Sequence, residues 1–458
     1  MSELRRAMGL RTVVSTSTGL AFAAIEYLAV AGLLSVVAGR LAWLAVLVAG
    51  LVVLLAWAFF SELCGIFPTA AAIRRYMQAA MDDRVALTVT LTYMTTIVLV
   101  IAADAYIVGS AVADALSQPR WLITVWIAGL LLLATWTNLR GVTVAGRVQD
   151  AATTVIVLVT AGIAVLAVTE TPTAAAQLAD AGRSTSVAGF VQAVALGILL
   201  FSAFEWVTTN AEEVREHHHI PRGMLVSLGI LASVCALLAY GMGHLLSAEE
   251  ASTAFPQLAL GRHVLGDTGY AVMVVITVLT ALNTFNGGFI TASRFVYATA
   301  REGSLPPSMA RLNDNLVPWV PVLVLAGTSL VVSVLVALTG AWQVLLGVGA
   351  ALESMIFAVA GYCVWALRRR QPHVHRPFRM ALAGPLGLLG TVLFGLLGLV
   401  ASVTVEDELD LRPLGIILGM AALAAVYVLT VVPRLQAAAR ARAVAAPRRR
   451  PVTVPEEA

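Results

Sequence analysis

Four acidic residues stand inside long apolar runs of this chain: Glu26, Asp104, Glu205 and Glu353. No arginine lies at comparable depth, and the chain contains no lysine. A carboxylate in hydrocarbon is costly. An intramembrane acid without an intramembrane base therefore points to two kinds of chemistry, carrying a proton or attracting a cation. The alternative for each is a neutral carboxylic acid hydrogen-bonded to backbone. Glu205 sits between Phe204 and Trp206, and the phrase recurs: Ala24-Ile25-Glu26-Tyr27 echoes Ala203-Phe204-Glu205-Trp206. Asp104 lies toward the outer end of its run.

Other polar residues cluster near these acids. The first apolar run contains Ser15, Thr16, Ser17, Thr18 and Gly19, small and hydroxyl residues that suit close helix packing or a discontinuous helix with free backbone groups. A later run holds Asn283, Thr284, Asn286, Gly287, Gly288, Thr291 and Ser293, which fit either a cavity-lining face or interhelical hydrogen bonds. His217, His218 and His219 lie among Glu212, Glu213 and Glu216. Three consecutive histidines cannot share one ligand face of a helix, so no metal site is expected there. Cys64, Cys235 and Cys363 are far apart and odd in number, which gives no disulfide framework. No nucleotide-binding loop, catalytic triad or zinc spacing occurs. The expectation is no enzyme, no cofactor and no direct use of ATP.

Helices must position these groups. Of the 458 residues, 59% are hydrophobic and 12% charged, with mean hydropathy +0.89. That is about half the charge of a soluble domain. Strand-period alternation is missing, so the chain reads as an all-α integral membrane protein. Twelve spanning helices are expected, numbered in order: 12–36, 41–63, 87–111, 121–139, 148–169, 188–209, 223–246, 269–292, 318–339, 344–367, 384–404 and 412–433. Among the 29 basic residues, all arginine, only Arg40, Arg120, Arg183, Arg262 and Arg412 fall in one set of connections. The rest share the other set with both termini, which places the termini in the cytoplasm of a multi-pass plasma (inner) membrane protein. The outer connection 247–267 is expected to carry a small helix, and the Ala/Arg/Pro-rich tail 434–458 to be disordered.

Several motifs carry a resemblance to a known family. Ser61-Glu62-Leu63 through Phe67-Pro68 is similar to SEL…FP, and Asn138-Leu139-Arg140-Gly141-Val142 to N-x-R-G-V. Phe204-Glu205, Glu212-Glu213-Val214 and Ile220-Pro221 follow the order GFE…AEEV…IP. Ser293-Arg294, Tyr297-Ala298, Arg301-Glu302-Gly303 and Leu305-Pro306 follow SR…YA..R(D/E)G.LP, and Arg376-Pro377-Phe378-Arg379 gives R-P-F-R. In this order, over essentially all twelve helices, the chain resembles the amino acid–polyamine–organocation (APC) superfamily of permeases.

The resemblance implies a 5+5 inverted-repeat transporter fold. Residues 1–11 are then a cytoplasmic N-terminus, 12–169 hold helices 1–5, 188–367 hold helices 6–10, and 384–433 hold two accessory helices. Helices 1 and 6 are expected to break at the midplane and form the site. The sequence departs from the family in two places: Ala23, Ala24 and Ala203 stand where the family has glycine, and Glu26 where it has an apolar residue. The helix 5 lysine that stands in for sodium in some relatives aligns with Val155 or Ile156. The expected activity is secondary active transport of amino acids or cationic amines by alternating access, coupled to protons or working by exchange. A neutral amino acid permease with structural acids is the alternative, and a membrane enzyme or scaffold the rival of another class. Backbone at Gly19, Leu20, Ala21, Phe22, Ala23, Ala24, Leu200, Phe201, Ala203 and Phe204 would line the substrate site. Tyr27, Phe22, Phe201 and Trp206 could add cation–π contacts. Glu26, Asn283 and Glu353 would meet the substrate, and Glu205 with Glu26 would carry the proton. The expected partners are a small amine or amino acid, a coupling proton and the bilayer, with no nucleic acid.

Overall fold

The computed structural model describes residues 4, 6–36, 39–174, 176–177, 186–253, 255–405 and 408–445. Among them, eleven helices are long and apolar enough to cross a bilayer. A bent pair, Leu10–Ala21 with Ile25–Ala31, adds a twelfth if counted as one span. Leu132, Leu158, Leu338 and Leu423 stand between 67% and 76% exposed on the outside of the bundle. Helices that are apolar both inward and outward are membrane spans, because lipid offers nothing for a polar outer face to bond.

Two spans are interrupted. Helix 1 consists of Leu10–Ala21 and Ile25–Val36, with a 60° bend between them. Helix 6 runs over Val187–Ile198, tightens to a 3₁₀ turn at Leu199–Phe201, and resumes as a 3₁₀ helix over Phe204–Asn210. The first break uses no positive φ. The second turns through Ala203, left-handed at φ 67°. An alanine there costs about 1–2 kcal/mol that a glycine would not, so something must hold the turn.

The unbroken helices that face the breaks are helix 3, Asp83–Ala115, and helix 10, Trp342–Arg370. Helix 10 is wedged between helix 2, Gly39–Ile66, and helix 11, Ala383–Val403. A Cβ on Gly361 would meet Gly387 O at 2.7 Å, and one on Gly387 would meet Gly361 O at 2.9 Å, so the two backbones pack directly. Phe59, Phe60, Phe204, Phe357 and Phe394 fill the core beside them.

The expected small outer helix is Ala248–Ala251, closed by a capping box between Ser247 and Glu250. Two expectations change. Helix 8 is Pro256–Arg301, much longer than 269–292; non-helical Leu265 and Gly266 kink it, and the piece before the kink occupies the outer connection. Where a disordered tail was expected from 434, Val432–Ala445 is helical. Alanine and arginine are strong helix formers, and no proline or glycine interrupts them between Pro433 and Pro447. Residues 446–458, like Arg5, Arg183 and the Glu406-Asp407 pair, lie outside the described residues.

Candidate functional site

Each break faces an acid from an unbroken helix. At helix 6, the Ala203 N–H donates to Glu353 Oε1 at 2.6 Å. That bond satisfies a part-buried amide of the left-handed turn and holds the turn in place. Glu205, two residues on, accepts from the Tyr93 hydroxyl of helix 3 at 2.6 Å. Glu353 also lies within interaction range of Glu205 and Tyr93. Both carboxyls are 2% exposed, and the Oε2 of each has no hydrogen-bond partner. The Tyr93 ring stacks on Trp206 at 4.9 Å. Two acids and a phenol thus share one buried pocket, an arrangement that can hold and pass a proton.

At helix 1, Asp104 of helix 3 faces the backbone amides of Ala24 and Ile25. The approach is looser than a direct hydrogen bond, and neither Asp104 oxygen completes one. Glu26, the second residue of the resumed helix, is close enough for its charge to interact with that of Asp104, and its Oε2 is also unpartnered. Tyr27 bonds Thr160 Oγ1 at 2.9 Å and meets Phe22 edge-on at 5.4 Å. The two breaks are tied together where Ser17 Oγ donates to Phe204 O at 2.8 Å.

The remaining expected site residues divide. Phe22, Ala23, Ala24, Leu200, Phe201, Ala203, Phe204 and Trp206 all lie at or beside the breaks. Gly19, Leu20 and Ala21 form the last turn before the first break, and a Cβ on Gly19 would meet Asn283 Nδ2 at 2.2 Å. The Phe201 ring lies against Gly50 of helix 2. Asn283 spends its amide on Thr153 Oγ1 at 2.9 Å. Asn286 donates to Ala145 O and Gln149 Oε1 and accepts from Asn138 and Thr137. Helix 8 therefore uses much of its polar face to bind helix 4, Leu122–Leu139, and helix 5, Val142–Thr169. The Glu205 pocket continues into a cavity of about 10 Å³ lined by Phe60, Ile73, Thr208, Thr209 and Phe295. That is room for about one water.

The signature motifs meet one another, which their use as recognition marks did not reveal. Glu62 accepts from Arg368 at 2.8 and 2.7 Å and from Arg376 at 3.2 Å. Glu213 holds Arg294 at 2.8 and 3.3 Å, with both side chains 1% exposed. Glu212 pairs with Arg301 at 2.7 Å, and Arg74 with Glu302 at 2.8 Å. The chain's start joins them: the N–H groups of Ala7 and Met8 donate to Glu213 O, and Met8 pairs with Val214. All these groups come from connections that the arginine count assigns to one side. They tie the connections at that end of the bundle to one another.

In the histidine tract, His218 caps helix 7, His219–Leu245, and His219 opens it, so the two do not share a regular helical face. Their donor atoms and a Glu216 oxygen lie within 4.8 Å of one another, on an exposed connection.

An amino acid permease family model matches residues 8–432. Similar proteins include the human (Homo sapiens) Asc-type amino acid transporter 1, 26% identical over 268 residues, covering 57% of this chain and 50% of that protein. The Rattus norvegicus large neutral amino acids transporter small subunit 2 is 24% identical over 276 residues, covering 56% of this chain and 49% of that protein. The chain spans about half the length of these relatives. Among solved structures, an Eremococcus coleocola manganese transporter, bound to an aromatic bis-isothiourea compound, aligns with a TM-score of 0.58 at 15% identity. The alignment covers 93% of this chain and 94% of that one. At that identity the likeness concerns the fold.

Proposed function

The chain belongs to the amino acid permease family of the APC superfamily, whose members are transporters and not enzymes, and from that premise we propose that it is a secondary active permease of the plasma membrane. It moves amino acids or cationic amines by alternating access. Helices 1–5 and 6–10 act as inverted repeats over 12–169 and 188–367, with 384–433 as accessory helices. Both termini face the cytoplasm, as the arginine asymmetry indicates. The motif ion pairs then close the cytoplasmic end, and each transport cycle opens them.

One observation carries the reading: a carboxyl stands at each break, on helices whose freed backbone groups can hold a substrate. Glu205 is the proton carrier. Its Oε2 takes the proton while Oε1 keeps the Tyr93 hydroxyl. Glu353 holds the turn at Ala203 and senses the charge on Glu205. A second reading draws on the name of one relative, a large neutral amino acids transporter. In it the substrate is a neutral amino acid and Glu26 is a protonated structural group.

The test is uptake into proteoliposomes of labelled amino acids and amines, with and without a proton gradient. Glu205→Gln abolishes gradient-driven uptake and retains substrate binding. Undiminished gradient-driven uptake in that variant would refute the assignment.

A further inference from the structure

We propose that the break in helix 1 is a seat for an alkylammonium head and excludes an α-carboxylate, because Asp104 and Glu26 already stand where that carboxylate would bind. The inference rests on the permease reading and narrows its substrate class to amines that lack an adjacent carboxyl group.

The argument starts from the backbone. The half-helix Ile25–Val36 begins at the break, so its first amides have no partner within the helix and its positive dipole end points into the site. Discontinuous helices use such ends to hold a substrate's anionic group. Here Asp104, 1% exposed, faces the Ala24 and Ile25 amides from helix 3. Glu26, 8% exposed, adds a second carboxyl beside it. Both Asp104 oxygens and Glu26 Oε2 are buried without a hydrogen-bond partner. The nearby polar groups on other faces, the Cys235 thiol and the Tyr27 hydroxyl, bring no positive charge. An incoming carboxylate would find its amides already facing another acid and would crowd a third carboxyl group beside Asp104 and Glu26. An ammonium brings three N–H donors to three orphaned acceptors. Chain carboxylates thus replace the one an amino acid would supply.

The test uses the full chain, purified and reconstituted, with matched pairs that differ by one carboxyl: isobutylamine and valine, phenethylamine and phenylalanine, cadaverine and lysine. Uptake and mutual competition are measured. In the wild type, the amine of each pair competes at a concentration about tenfold or more below that of its amino acid, the size of one charge-assisted contact. Asp104→Asn weakens the amines by about tenfold and leaves the amino acids equal or improved. Glu26→Gln, close in volume, shifts the same ratio in the same direction and serves as the second variant should Asp104→Asn not fold. A wild type that takes the amino acid of each pair as well as the amine, or better, overturns the proposal. No uptake of any member by folded protein is a separate outcome, which removes the permease reading and the seat with it.

Discussion

Glu213→Gln removes one half of an ion pair in which both side chains are 1% exposed. Arg294 then keeps its bond to Ser293 Oγ at 2.9 Å but loses the two that neutralise it. Breaking a buried pair from one side costs about 3–5 kcal/mol, because the remaining charge stays desolvated. The cost falls on the closed form alone if opening this end of the bundle lets Arg294 reach water. The closed–open equilibrium should then shift by a factor of about 100 or more. A cysteine at Thr208, 2% exposed beside the small cavity under Glu205, reports that opening. With Cys64, Cys235 and Cys363 replaced by alanine, a membrane-impermeant maleimide added from the cytoplasmic side should label Thr208→Cys about 100-fold faster in the Glu213→Gln background. Glu213→Gln/Arg294→Met should return near the parent rate, since no uncompensated charge remains. Labelling unchanged by Glu213→Gln in folded protein would show that the pair does not hold this end shut.

Two further outcomes follow from the breaks. Glu353→Ala leaves the part-buried Ala203 N–H unpaired, and should lower stability in detergent by about 1–3 kcal/mol, read as a drop in the thermal unfolding midpoint. Glu353→Gln, whose amide oxygen still accepts, should cost less. Gly19→Ala puts a methyl 2.2 Å from Asn283 Nδ2 and 2.3 Å from Gln149 Nε2. It should destabilise by about 1–3 kcal/mol, whereas Gly129→Ala, with nothing within 4 Å, should be neutral or slightly stabilising in the same assay.

Signals local to a segment were legible in the sequence. Each span needs its own apolar run, so the membrane-crossing helices could be placed along the chain. Glu205 and Glu353 stood out because acids are rare at that depth. What could not be read was which groups meet. Arg368 reaches Glu62 from 306 residues away, and no periodicity encodes that contact. Position along helix 3 gives only the depth of Asp104; the bend in helix 1 is what brings Ala24 and Ile25 to face it. Helix 8 gave the opposite difficulty. Its asparagines have the composition of a cavity wall, and only the neighbouring Gln149, Ala145 and Asn138 show that Asn286 serves packing.

The alanine at position 203 has a consequence for energy transfer. A glycine would sit in that left-handed turn at rest. The alanine stores about 1–2 kcal/mol there and depends on Glu353 to offset it. Any event that draws Glu353 away, whether a proton, a substrate amine or a change on Glu205, releases that strain into the backbone of helix 6. On the proposed permease reading, the break is a transducer: chemistry at one carboxyl becomes motion of the Phe204–Asn210 segment, whose far end leads to Glu213 and its ion pair with Arg294.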